Sequence, residues 1–295
     1  MLKKIMALSA AALLGLAGLT GCTAGEVGAN SSVPGTDTGK SGSGDTSTAA
    51  KLTGSLVMAG STSMEKVCGA LGEAFGDKHP ELTIDLQATG SGAAITALND
   101  GTAQIGNLSR AVKDSENPDG KYEAITIALD GIAIIVHKNN AAADLTAEQL
   151  ASIFKKEVTN WKDVGGPDKA ITVIGRETGS GTRDGFEEVV KVACQYDATL
   201  DSPGAVVARV ASDEGAIGYV SFASVGDGVK ALKVGGVTPS ESTIADKTYV
   251  IQRPFVQAYI KDTKDVRVQA YIEFLKTDEA QKLIRDADLV PQKFW

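Results

Sequence analysis

The sequence predicts an α/β protein, layered around largely parallel sheets and long enough for one large domain or two lobes. Two observations carry this. After about residue 50, short β-rich runs alternate with helix-like apolar patterns to the end of the chain, which is the signature of strands covered by helices. In addition, four stretches place Ser, Thr and Gly where a chain turns into a helix: Gly60-Ser61-Thr62-Ser63, Thr89-Gly90-Ser91-Gly92, Asn107-Leu108-Ser109-Arg110 and Arg176-Glu177-Thr178-Gly179-Ser180-Gly181-Thr182-Arg183. Three of them follow a strand-like run and open a helix-like one. Ligands of such sheets collect at the carboxyl ends of strands. A helix start offers unpaired N–H groups and the positive end of its dipole, so several converging on one point would hold a small oxyanion.

The elements follow in order. Leu56 to Ala59 reads as a strand, and a helix follows with Thr62 and Glu65 as a capping box and Met64, Val67, Leu71, Ala74 and Phe75 along one face. Leu82 to Ala88 alternates apolar and polar as a half-buried strand, a short helix through Ile95 and Leu98 stops at Gly101, and Gln104 to Leu108 is a third strand. Ile125 to Leu129 and Ile132 to Val136 flank Asp130-Gly131 and are too apolar for an exposed edge. A second unit opens with a helix capped by Thr146 and Gln149 and carrying Leu150, Ile153 and Phe154. Ile171 to Ile174 is a strand that runs into the Arg176 loop, and the helix beyond presents Phe186, Val189, Val190 and Ala193. A helix near Val206 to Ala211 and a strand near Ile217 to Val220 come next, then strands at Tyr249 to Ile251 and Val256 to Ile260. The tail is helical, with Val266, Ala270 and Phe274 on one face and Thr277 capping the last helix.

The N-terminus carries an address. Lys3-Lys4, an apolar run from Ile5 to Leu19 and small residues before Cys22 make a signal peptide over 1–21, too short for a membrane span. Leu19-Thr20-Gly21-Cys22 resembles a bacterial lipobox, whose Cys becomes the lipidated first residue, and two acyl chains would anchor it stably to the membrane. Residues 22–50, rich in Gly, Ser, Thr and Ala, cannot bury a core and read as a tether. Cleavage leaves 274 residues and moves the formal charge from −8 to −10, because two lysines depart. That acidic balance argues against nucleic acid, and it leaves an anion to be caught by local donors rather than by the global field. Cys68 and Cys194 fall in different units, which disfavours a disulfide, and two histidines, His79 and His137, with no clustered Cys give no basis for a zinc site.

At the four loops the chain resembles the phosphate-binding lipoproteins of bacterial phosphate ABC transporters, the Gram-positive type in particular. The resemblance runs from about Leu52 to the C-terminus. Its marks are Gly60-Ser61-Thr62-Ser63, Gly90-Ser91-Gly92, Ile105-Gly106 with Ser109-Arg110, Ala128-Leu129-Asp130-Gly131-Ile132-Ala133, Thr159-Asn160-Trp161, and Arg176-Glu177 with Gly179-Ser180-Gly181-Thr182-Arg183. It implies a two-lobed periplasmic-binding-protein-like fold of type II with two hinge crossovers, near Ile132 to His137 and near Arg253 to Val256. Lobe 1 would then comprise 51–132 plus 255–295, and lobe 2 133–254.

The resemblance also implies a ligand set for phosphate: Thr62 and Ser63 from the first loop, Ser91 from the second, Ser109 and Arg110 at the third, and Arg176, Ser180, Gly181 and Thr182 from the fourth. The chemistry agrees, since hydroxyls and N–H groups donate to phosphate oxygens and a guanidinium can bind two at once. Some relatives place an Asp in the third loop to accept the proton of hydrogen phosphate. Here Ser109 and Arg110 stand there, which leaves Asp130 as the candidate acceptor, with pairing to a nearby arginine as its alternative role. Taken singly, Thr62, Ser91 and Ser180 could be plain helix caps, and Arg110 and Arg183 solvated charges. No cofactor is expected. The implied partners are inorganic phosphate and the permease subunits of the transporter, with the protein a monomer on the extracellular face of the cell membrane. Sulfate or molybdate binding on the same fold is the second reading. A secreted phosphatase is the third, and it lacks a histidine near Ser61, Ser63, Ser91 or Ser180. A sensory or adhesive role without transport is a further alternative.

Overall fold

The computed structural model describes residues 51–295. The expected signal peptide, Cys22 and the tether lie outside the described residues. Alternation of strand and helix begins at once: β1 (Gly54–Gly60), α1 (Glu65–Lys78), β2 (Leu82–Ala88), α2 (Ser91–Asn99), β3 (Ile105–Leu108) and then β4, a strand of 16 residues (Tyr122–His137). The middle of the chain holds β5 (Asp144–Leu145), α3 (Ala147–Phe154), β6 (Thr172–Arg176), α4 (Gly181–Val190), β7 (Ala198–Leu200), α5 (Pro203–Ala211), β8 (Ala216–Ser221), β9 (Val229–Ala231), β10 (Lys233–Val234) and α6 (Glu241–Ala245). The chain closes with β11 (Gln252–Ile260), α7 (Val266–Leu275), α8 (Asp278–Asp286) and β12 (Val290–Pro291).

The strands line up in the order β2-β1-β3-β11-β4-β8-β6-β7. The outer groups are parallel, β2-β1-β3 at one end and β8-β6-β7 at the other. The expectation of largely parallel sheets is corrected at the centre, where β11 runs antiparallel to both β3 and β4, and β4 antiparallel to β8. The two runs flanking Asp130-Gly131 are one strand. Its first part, Tyr122 to Gly131, pairs with β11, and from Ile132 onward it pairs with β8 and then β9.

This gives the two lobes of a type II binding-protein fold, each with its own core. In the first, Leu56, Met58, Leu71, Phe75, Phe255 and Tyr271 bury between the sheet and α1, α7 and α8, while Ile95, Leu98 and Val256 bury under α2 on the other face. In the second, alternation along β4 sends Ile132, Ile134 and Val136 toward Phe154, Trp161 and Phe186, and Ala133 and Ile135 toward Val206 and Val210 of α5. Both faces of that stretch are fully buried, hence its apolar composition.

Local chemistry sets the ends. The Thr146 and Gln149 box and the Thr277 cap stand as expected. At the first loop the cap is Ser61, which accepts from the Ser63 N–H, so the expected Thr62 and Glu65 box does not form. Helix α4 ends at Val190, with Lys191 left-handed, and excludes Ala193. Tyr249 to Ile251 is not a strand. Phe274 is buried as expected, but Val266 is more than half exposed, because α7 turns Val268, Tyr271, Ile272 and Leu275 inward beside it. Both described cysteines are free, Cys68 beneath Gln257 in the first lobe and Cys194 beside the second core. No helix among the described residues is long and apolar enough to cross a membrane.

Candidate functional site

Parallel registry brings three loops to one place. Gly60 pairs with Ala88 on one side and with Asn107 on the other, so β1, β2 and β3 end level. The Gly60 carbonyl accepts the N–H groups of Thr89 (2.7 Å) and Gly90 (2.8 Å), and the Ser61 N–H donates to the Asn107 carbonyl at 2.8 Å. Gly60 has φ of 139°, and a side chain there would press into the Asn107 carbonyl, so glycine is required. Opposite, β6 delivers Arg176 and α4 starts at Gly181.

Between the lobes lies a buried cluster of hydroxyls. Ser61 Oγ donates to Ser109 Oγ at 2.8 Å, Ser91 Oγ lies 3.2 Å from Ser109 Oγ, and the Ser109 N–H donates to Ser91 Oγ at 3.1 Å. Ser91 is the first residue of α2 and caps nothing; Gly90 holds the cap position. Two bonds then cross between lobes. Ser63 Oγ and Thr182 Oγ1 are 2.8 Å apart, and Arg176 Nη2 donates to Thr62 Oγ1 at 2.8 Å. Gly92 N–H also crosses, to the Gly179 carbonyl at 2.9 Å. A methyl group at position 181 would sit 2.6 Å from Ser109 Oγ and closer still to Ser91 Oγ, so α4 reaches the cluster backbone first. Two helices of nine and ten residues therefore begin at one point, walled by five buried hydroxyls.

Arg176 is 1% exposed. Its Nε and Nη2 bond both Glu177 carboxylate oxygens at 2.9 Å, and the carbonyls of Leu200 and Asp201 share the hydrogens of those same two nitrogens. That edge is spent. Its Nη1 is one of two buried side-chain polar atoms among the described residues without a hydrogen-bond partner. An unpaired buried donor on a cation is costly, and it supplies what an anion needs.

The structure does not bring every expected residue to this cluster. Arg110 is committed elsewhere: Nη1 and Nη2 grip Glu116 at 2.8 and 2.7 Å, and Nε reaches Asp184 of α4 at 2.8 Å. Against the upward push of burial, those bonds and the Lys113 N–H hold the Glu116 carboxyl below its ordinary value. Asp130 lies behind the cluster, fully buried in β4. Arg253, its register partner on β11, donates to Oδ2 through Nε (3.1 Å) and Nη2 (3.0 Å), and Ser221 donates to Oδ1 at 2.8 Å. Burial pushes this carboxyl above its ordinary value, and Arg253 and Ser221 offset only part of the rise. Of the two roles open to Asp130, the structure shows the arginine pair. Arg253 Nη1 continues to the Ser109 carbonyl at 3.1 Å, so the ion pair supports the third loop from behind. Ser180 caps α4 through the Arg183 N–H, at 3.4 Å. Arg183 turns to Glu187 and the Tyr196 ring.

Sequence reasoning passed over Ser61, Glu177 and Arg253. Ser61 and Glu177 sit inside the motifs already singled out, beside Thr62 and Arg176. Arg253 gave no local signal, because its partner is 123 residues away.

Residues 45–279 match the family described as PBP superfamily domain. The chain is 31% identical to the phosphate-binding protein PstS of Bacillus subtilis over 246 residues, covering 82% of each, and 32% identical to its namesake in Staphylococcus epidermidis over 260 residues, covering 81% of this chain and 79% of that one. Among solved structures it is similar to a candidate phosphate ABC transporter substrate-binding protein from Clostridium perfringens with bound phosphate (TM-score 0.78, 37% identity, 81% of this chain and 100% of that one). An ABC-type phosphate transport receptor from Vibrio cholerae is also similar (TM-score 0.70, 34% identity, 80% and 100%).

Proposed function

The chain belongs to the PBP superfamily and, within it, to the phosphate-binding PstS proteins, and from that premise we propose that its lobes close on one inorganic phosphate for delivery to the permease of an ABC transporter. It binds and does no chemistry. The observation that carries the reading is the buried, unpartnered Nη1 of Arg176, an arginine whose Nη2 reaches Thr62 where buried hydroxyls and two helix starts meet. Arg176 supplies charge, Thr62, Ser63, Ser91, Ser109 and Thr182 supply hydroxyls, and Gly181 supplies backbone N–H at the start of α4. Ser180 shapes that start as its cap. Asp130 and Arg110 act on the site through Arg253 and Asp184.

The lobes divide at 132/133 and 254/255, so β4 and β11 carry the hinge, and closure is the state that a permease would distinguish. The lipobox-like motif supports cleavage before Cys22 and diacylation there, placing a monomer on the extracellular face of the membrane.

Calorimetric titration of the purified protein, stripped of bound anion, tests the reading. Heat from phosphate and none from sulfate is expected. Equal heats from both would make it a general tetrahedral-oxyanion binder, and heat from neither would overturn the proposal. A second measurement concerns the bridge between lobes. Thr62→Val keeps the shape and removes both a ligand hydroxyl and the acceptor of the Arg176 bond. Bonds to charged groups contribute about 1.5–3 kcal/mol, and Thr62 is only half buried, so the phosphate Kd should rise about tenfold; an unchanged Kd would show that the Thr62 hydroxyl serves neither the anion nor closure.

A further inference from the structure

Arg176 is held by its backbone as well as by its side chain. The ladder between β6 and β8 ends at Val173 opposite Ile217. Three residues on, the Arg176 N–H finds the Tyr219 hydroxyl, at 3.3 Å, in place of a strand carbonyl. Tyr219 donates in turn to the Tyr196 hydroxyl at 3.1 Å, and Tyr196 donates to Glu187 Oε1 at 2.9 Å. The same carboxylate oxygen accepts from Arg183 Nε at 2.9 Å, and Arg183 Nη1 returns to the Arg176 carbonyl at 3.2 Å. The path closes on itself, leaving Arg176 by its N–H and re-entering by its C=O.

Every hydroxyl in this ring accepts one bond and donates the next, an arrangement in which each bond polarises its neighbour. Burial raises both phenols well above their ordinary value, so they remain protonated donors. The rings are immobilised by packing. Tyr219 stacks on Phe186 at 4.2 Å, Phe154 packs on both tyrosines, and the Arg183 guanidinium lies 5.0 Å from the Tyr196 ring centre. The residue before Arg176 must be glycine for this to fit, since a side chain at Gly175 would overlap the Tyr196 ring, with Cγ only 2.7 Å away.

We propose that Tyr219, Tyr196, Glu187 and Arg183 form a positioning frame that sets the height and direction of Arg176 against the bound anion, Arg183 acting through Arg176 and not as a ligand. The inference rests on the phosphate reading of the same site. It explains why a second arginine in the loop points away from the hydroxyl cluster. It also explains why a buried phenol, Tyr219, and a partly buried one, Tyr196, with no contact to the ligand hydroxyls are tied to a carboxylate near the protein surface.

Tyr196→Phe removes one hydroxyl from the middle of the ring and keeps the aromatic packing. The expected result is a roughly tenfold rise in the Kd for inorganic phosphate, equivalent to about 1.4 kcal/mol, with Tm within a few degrees of the parent and faster hydrogen exchange at the Arg176 amide. Glu187→Ala should do the same, and Glu187→Gln, which keeps an acceptor oxygen, should recover most of the loss. A Tyr196→Phe protein that binds phosphate within twofold of the parent overturns the frame. So does one that loses affinity only in step with Tm while the Arg176 amide exchanges as before. If the parent itself gives no heat with phosphate, the ligand reading fails, and the exchange rate at Arg176 still decides whether the ring holds that residue.

Discussion

Replacing Gly181 with alanine is expected to abolish phosphate capture without weakening the fold. Gly181 is the first residue of α4, and its φ is not among the positive ones, so its backbone accepts a side chain. Alanine favours a helix over glycine by about 1 kcal/mol in an interior position, which predicts an unchanged or slightly raised Tm. The cost falls on closure. The added methyl would lie 2.6 Å from Ser109 Oγ and 3.0 Å from Ser91 Cβ. Neither neighbour can yield, because both are fully buried and bonded to each other, and the Ser109 loop is braced by Arg253. Overpacking of this kind costs about 1–3 kcal/mol, and the same displacement withdraws the start of α4 from the anion. Affinity should therefore fall by about 100-fold or more, close to 3 kcal/mol. Titration alongside a thermal scan checks it, and binding within threefold of the parent would mean that the lobes need not approach so closely.

The second large effect is on stability. Asp130→Asn leaves the Arg253 guanidinium buried beside a neutral amide, and removing one member of a buried ion pair costs about 3–5 kcal/mol. At about 2–4 °C per kcal/mol for a protein of this size, Tm should drop by roughly 10 °C. The ratio of phosphate to sulfate affinity should stay where it was, because the carboxylate's oxygens face Arg253 and Ser221 and not the hydroxyl cluster. A variant of unchanged Tm that begins to bind sulfate would restore Asp130 as the proton acceptor.

Features that depend on neighbours in sequence were legible. A Thr three residues before a Gln, or a Ser-Gly-Thr run after a strand, fixes a helix start by local hydrogen bonds, and Thr146, Ser180 and Thr277 behave that way. The four loops were legible for the same reason; parallel registry gathers the first three, and the Arg176 loop meets them from β6 on the opposite side. Distant pairings were not legible. Nothing near Arg110 announces Asp184, 74 residues on, and nothing near Asp130 announces Arg253. Arg110 was read as a ligand or a solvated charge and is engaged by carboxylates, and for Asp130 the arginine pairing was foreseen as an alternative while the identity of the arginine was not. The antiparallel centre was hidden too, since an apolar strand buried on both faces looks the same whichever way its neighbours run. Val266 misled because it stands at the exposed first position of α7, where Val268, two residues on, takes the inward place with Phe274.

The strand order has a consequence for biosynthesis. The second lobe is contiguous in sequence, so it can assemble while the rest of the chain is still emerging. The first cannot, because β11 stands between β3 and β4, and α7 and α8 complete its core. Until the last forty or so residues arrive, the short edge of β3 and the long edge of β4 stand unpaired, which is the condition under which chains stick to one another. An exported chain of this order is therefore most vulnerable to aggregation at the end of its passage, and a version cut short before Phe255 should precipitate even though its second lobe is whole.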